Sequence, residues 1–255
     1  MENKVFPRIL DHDGTVSYGG NQAWYDSKAA ALGGCGAVAA ANSLACLAVF
    51  YPGVADKLGI RPHGSGIFQR KAFEEFMSSV YKGVGSAFFF NRPMGIGIWR
   101  YTKNVLKYAR SRNIYLDSHV CVTTFSAYNR PLHFIRSGLA KSGAVALLAS
   151  WNSYTVTFRY PNGTATARIK NHFITITGIS RDAEGNILLT VSTWGKKGTI
   201  PYREIYNSWQ GFGAIDTALI FFTPTGTRSS VERQIMRTPL ILMKSIANAF
   251  IHFER

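Results

Sequence analysis

The run from Gly36 to Tyr51, GAVAAANSLACLAVFY, is apolar almost all round, and it constrains the fold more than any other stretch. A helix without a polar face has to be enclosed by protein, and the Pro52-Gly53 pair behind it ends it. Enclosure requires a good deal of further chain. The 255 residues, 46% hydrophobic and 17% charged, provide one large domain or two closely packed lobes. A core of that size needs no disulfide or metal to hold it.

The rest of the chain divides by its period. Phe73, Phe76, Met77 and Val80 fall at helical spacing within Phe68 to Val84. Tyr101, Val105, Tyr108 and Ala109 repeat the pattern, and Pro131 opens another helix that closes near Gly143. Beyond Gly143 the period becomes that of strands. Ala144 to Ser150 reads as a buried strand, and Tyr154 to Tyr160 alternates up to a turn at Pro161-Asn162-Gly163. His172 to Ser180, Ile187 to Thr193, Gly198 to Ile205 and Ala214 to Phe222 complete the series. Helices first and strands later predict an α+β fold. A helical lobe, residues 21–142, packs on an antiparallel β-sheet, residues 143–224, within one domain, residues 1–224. Residues 225–255 read as a basic, partly apolar C-terminal helix or tail. Its longest apolar stretch, Ile235 to Phe253, is interrupted by Arg237, Pro239 and Lys244, so no membrane span is expected.

The formal net charge of +15 draws anionic partners, an acidic macromolecule among them. Basic residues are scattered, the densest group being Lys103, Lys107, Arg110 and Arg112 on one helix. The chain carries no zinc finger, basic zipper or aromatic RNA-binding signature, so no specific nucleic acid is expected. Cys35, Cys46 and Cys121 form no CxxC pair and no even framework, which points to free thiols in a reducing compartment, the cytoplasm. The N-terminal MENKVFPRIL lacks the long apolar run of a secretory leader. His119 and Cys121 do not amount to a zinc site, and neither metal nor cofactor is expected.

Two segments carry chemistry. Gly33-Gly34-Cys35-Gly36-Ala37 puts a cysteine at the mouth of the buried helix, where unpaired N–H groups and the helix dipole favour a thiolate. Gly34 and Gly36 would let a substrate approach the backbone. A small inert cysteine beside a glycine cap fits the segment equally well. In Asn171-His172-Phe173-Ile174-Thr175-Ile176, a histidine opens an alternating strand, from which an imidazole can take a thiol proton and return it to a leaving amine. Ser192-Thr193-Trp194-Gly195 ends the next strand.

A cysteine at the start of a buried helix, a later His-hydrophobic strand and a strand ending in Trp-Gly resemble the papain-like cysteine peptidase superfamily. The likeness is closest to its bacterial branch containing the bacteriocin-leader (double-glycine) peptidases. Gly20-Asn21-Gln22-Ala23-Trp24-Tyr25 followed by Gly33-Gly34-Cys35-Gly36 is similar to firmicute proteins of that branch. The interval from Cys35 to His172 falls within the roughly 130–150 residues that separate nucleophile and histidine in the papain group. The resemblance runs in pieces over residues 18–222. It implies a thiol hydrolase of peptide or amide bonds, with Cys35 as nucleophile and His172 as base. Two positions depart from the family's pattern. Ser192 stands where Asn or Asp usually orients the histidine, and Ala29 stands where an oxyanion glutamine is usual. Gln22 can replace that glutamine only if the segment before Cys35 folds back. Trp24 and Trp194 could wall the cleft, or serve as core aromatics. The same machinery supports thiol acyl transfer. The departures, with the charge, also fit a papain-fold module that binds an anionic partner without catalysis.

Overall fold

The computed structural model describes residues 6–89, 92–210 and 217–225. The apolar run forms helix α2, Cys35–Phe50, and every residue from Cys35 to Ala48 is buried. Its many alanines let neighbours approach closely on all sides. Helices α3 (Pro52–Leu58) and α4 (Arg70–Val84) pack on one flank, α5 (Ile98–Ser111) packs on α4, and the main sheet packs on the other flank. Pro52 does end α2, but it also starts α3, because the first helical position needs no N–H.

The main sheet has six strands, all antiparallel, in the order β10-β9-β8-β7-β11-β6. They are β6 (Leu116–Val122), β7 (Val145–Tyr160), β8 (Gly163–Arg181), β9 (Ile187–Thr193), β10 (Lys196–Pro201) and β11 (Ala218–Pro224). The α+β class therefore holds, with a large antiparallel sheet against helices. Side-chain alternation divides the core. Ala146, Leu148, Phe173, Ile220 and Phe222 face α2 and α5. Leu147, Ile174, Leu219 and Phe221 face the other way, toward α6 (Asn129–Ser142). β10 also pairs with β7, Gly198 opposite Phe158, so β7 to β10 curl into a closed four-stranded end. Gly198 permits that closure, since a Cβ there would lie 2.4 Å from Val156 Cγ1.

Several expectations are corrected. β6 comes from within the stretch assigned to the helical lobe and supplies an edge of the sheet. The strands expected at 144–150 and 154–160 are one strand, β7, whose register shifts between Ala149 and Ser153. The strand expected from Gly198 to Ile205 stops at Pro201, where helix α7 (Tyr202–Ser208) buries Tyr202 and Ile205 three residues apart. A small sheet, β1 (Arg8–Leu10), β2 (Val16–Tyr18) and β3 (Ile67–Gln69), and a two-stranded ribbon, β4 (Ala87–Phe89) and β5 (Arg92–Gly95), were not expected from the sequence, because each strand has only three or four residues. The expected tail over residues 225–255 lies, beyond Thr225, outside the described residues, as do residues 211–216 before β11. Among the described residues no helix is long and apolar enough to cross a membrane.

Candidate active site

Cys35 is the first residue of α2. Ahead of it, a short helix α1 (Lys28–Gly33) folds the chain back over a one-residue link, Gly34, whose N–H donates to Ala30 O at 2.8 Å. This fold-back brings in Gln22. Its Nε2 donates to Ala31 O at 2.9 Å, and its side chain lines the same cavity as Cys35. The flanking glycines serve the protein's own packing rather than an open cleft. A Cβ on Gly34 would lie 2.4 Å from Ala30 O, and one on Gly36 would lie 2.4 Å from Ile96 Cγ2. Tyr25 and Ile96 fill the spaces beside Gly34 and Gly36.

His172 sits in β8 opposite Ala149. It lines the cavity with Cys35, Gln22, Asn42, Ser192, Thr193 and Trp194. The cavity is narrow, about 10 Å³, enough for roughly one water molecule. His172 Nε2 lies 3.0 Å from Thr193 Oγ1, and the ring stacks on Trp194 with centroids 5.0 Å apart. Ser192, the position matched to the family's Asn or Asp, does not hold the imidazole. Its hydroxyl donates instead to Tyr18 O at 2.6 Å. Thr193 is the residue that orients His172.

Trp194 and Gly195 form the two-residue turn between β9 and β10, with φ of 51° and 70°. Both central residues of a type I′ turn need positive φ, which a bulky aromatic adopts only at a cost. Packing between His172 and Phe158, whose ring lies 6.3 Å away, holds Trp194 there. Trp24 is placed elsewhere. Its ring lies under the Arg70 guanidinium at 4.7 Å, beside a surface hollow of α4, and does not line the Cys35 cavity.

The electrostatics differ from the simple helix-mouth picture. Burial pushes the Cys35 thiol up, against three backbone N–H groups, of Phe173, Gly36 and Cys35 itself, that favour the thiolate. Burial also pulls His172 down to about 4. Both effects disfavour charge, so the resting pair near neutral pH is a thiol and a neutral imidazole.

Sequence reasoning missed the floor of the cavity. Asn42, two turns beyond Cys35 on the same face of α2, is buried, accepts from Gly20 N–H at 2.9 Å and donates to Thr175 Oγ1 at 3.3 Å. The signal was an amide in an almost wholly apolar helix. Among the described residues no group of three or more His, Cys, Asp or Glu is placed to hold a metal ion.

The two hydroxyls are separable by mutation. Thr193→Val is expected to lower turnover by about ten- to a hundredfold and to cost about 1–3 kcal/mol of stability, because the part-buried imidazole loses both its orientation and its partner. Ser192→Ala should leave turnover within about twofold and cost about 1 kcal/mol of stability, measured by urea unfolding. The reverse ranking would return the orienting role to Ser192.

The chain matches no protein-family model, and comparison with curated proteins finds no match.

Proposed function

We propose that this protein is a papain-like thiol hydrolase that cleaves a peptide or amide bond. The supporting observation is the shared cavity of Cys35, His172 and Gln22, with Thr193 holding one imidazole nitrogen. With Nε2–H donated to Thr193, Nδ1 is left to accept a proton. Cys35 Sγ attacks the carbonyl carbon as its proton passes to His172. The oxyanion that forms is met by the Cys35 backbone N–H and the Gln22 amide. His172 then protonates the leaving amine, and the thioester left on Cys35 is released by water, or by an amine or thiol acceptor if the enzyme transfers the acyl group.

A peptide vinyl sulfone, which traps a nucleophilic cysteine only when it is presented to a bound peptide, tests this reading. The expected product carries one label on Cys35, none on Cys46 or Cys121, and His172→Ala loses the labelling. Label on Cys121, or none at all, would overturn it. The second reading, a binding module without catalysis, draws on the one-water width of the cavity and the protonated thiol. It predicts the unlabelled outcome, together with a biological role that survives Cys35→Ala.

A further inference from the structure

On the far side of the Trp194-Gly195 turn, a groove of about 340 Å³ runs between β2, the end of β7 and the start of β10. Four cations line it, Arg8, Arg159, Lys196 and Lys197, and no carboxylate does. None of the four takes part in an ion pair among the described residues. Arg8 Nε is buried there without a hydrogen-bond partner. Lys196 Nζ lies 5.9 Å from the Phe158 ring and 5.7 Å from that of Tyr160, and Lys197 Nζ lies 5.7 Å from Tyr18. Val16 and Tyr160 add exposed apolar surface, at 56% and 44% of their full areas.

The backbone of β2 supplies a further element. Asp11 pairs with Thr15 and Pro7 with Gly19 through backbone hydrogen bonds, which puts Ile9 and Ser17 in the hydrogen-bonded pair between them. Val16 and Tyr18 therefore turn their N–H and C=O groups away from β1. On that side Tyr18 N–H donates to Gly195 O at 2.8 Å and Tyr18 O accepts from Ser192. Val16, two residues earlier, presents the same edge with no backbone partner among the described residues.

We propose that this groove receives an extended acidic peptide segment. Its carboxylates meet Arg8, Lys196 and Lys197, an apolar side chain lies on Val16 and Tyr160, and its backbone adds to the free edge at Val16. As a substrate-recognition site, it rests on the peptide-hydrolase reading above. The link to that site is short, since Phe158 packs on Trp194 and Trp194 packs on His172. A strand edge suits a peptide, whereas the ring faces that a nucleic acid would stack on are already met by lysine ammonium groups.

The test uses the full chain carrying Cys35→Ala, so that binding is read apart from turnover. Three fluorescent probes are compared by anisotropy, an alternating Glu-Leu decapeptide, its Lys-Leu counterpart and a ten-residue oligothymidylate. The Glu-Leu peptide is expected to bind, and Lys196→Gln with Lys197→Gln to weaken it at least about tenfold. Lys103→Gln with Lys107→Gln removes the same charge from exposed positions on α5 and should change it by less than about twofold. Val16→Pro removes only the outward donor of β2 and should weaken the peptide but not the oligonucleotide. Equal loss in the two double variants would reduce the groove to part of a general positive field. An oligonucleotide that outcompetes the peptide and ignores Val16→Pro would overturn the peptide assignment in favour of nucleic acid. Either failure leaves the vinyl sulfone result on Cys35 untouched.

Discussion

His172→Ala is expected to lower peptide turnover by about a thousandfold or more, and Cys35→Ala by at least as much. The size of the first effect follows from the protonation states. A thiol that burial keeps protonated reaches its nucleophilic form only by giving up a proton during attack. His172, as a neutral imidazole in the same cavity, is the group able to take it. The pH profile has a sign that tests the same point. His172 is a base only when unprotonated, and burial holds it unprotonated down to about 4. The acid limb of kcat/KM should therefore fall near pH 4, well below the ~6.5 of an ordinary imidazole. Rates of amide cleavage followed from pH 3 to 9, in parent and His172→Ala, supply both results. An acid limb centred near 6.5 would mean that the ring is solvated in the working enzyme. A His172→Ala enzyme as fast as the parent would remove the histidine from the mechanism.

The sequence made some of this architecture legible and hid the rest for identifiable reasons. α2 was readable because an almost wholly apolar run of sixteen residues has one stable solution. β9 was readable because Ile187–Thr193 is short, alternating and bounded by turn residues. β6 was not, because its sequence LDSHVCV places Asp117, His119 and Cys121 on one face, a polar and mixed pattern tolerated at a sheet edge. β7 looked like two strands because residues near its register shift break the alternation. In the site, Cys35 and His172 stand out by their settings, but Gln22 reaches them only through α1, an element with too few residues to announce itself. The choice between Ser192 and Thr193 was hidden for a different reason. Neighbours on a strand point to opposite faces, so a one-residue difference in alignment exchanges the hydroxyl at the imidazole for one at Tyr18. The direction of the Cys35 shift was beyond sequence altogether. It is set by how far the α2 mouth is sunk, which depends on contacts between segments distant in the chain.

Phe173 ties the stability of the fold to the geometry of the pair, and Phe173→Ala should disturb both. Its ring is 3% exposed and stacks on Tyr101 with centroids 4.6 Å apart. It also lies against Gly36, where an added Cβ would come within 3.4 Å of Phe173 Cδ2. Truncation at such a position costs about 3–5 kcal/mol, and Phe173→Leu about 1–1.5. The Phe173 N–H that bonds to Cys35 survives both changes, but the wedge that sets β8 against the start of α2 is lost. The control is the neighbouring residue. Ile174 is 1% exposed on the opposite face of the sheet, so Ile174→Ala should cost about 2–5 kcal/mol without touching the α2 mouth. Urea unfolding is then expected to rank the two variants close together, while turnover under native conditions falls at least about tenfold further in Phe173→Ala. Equal loss of turnover in both would mean that activity merely follows the folded fraction. A larger loss in Phe173→Ala at matched stability would show that the spacing between α2 and β8, beyond the presence of Cys35 and His172, limits the reaction.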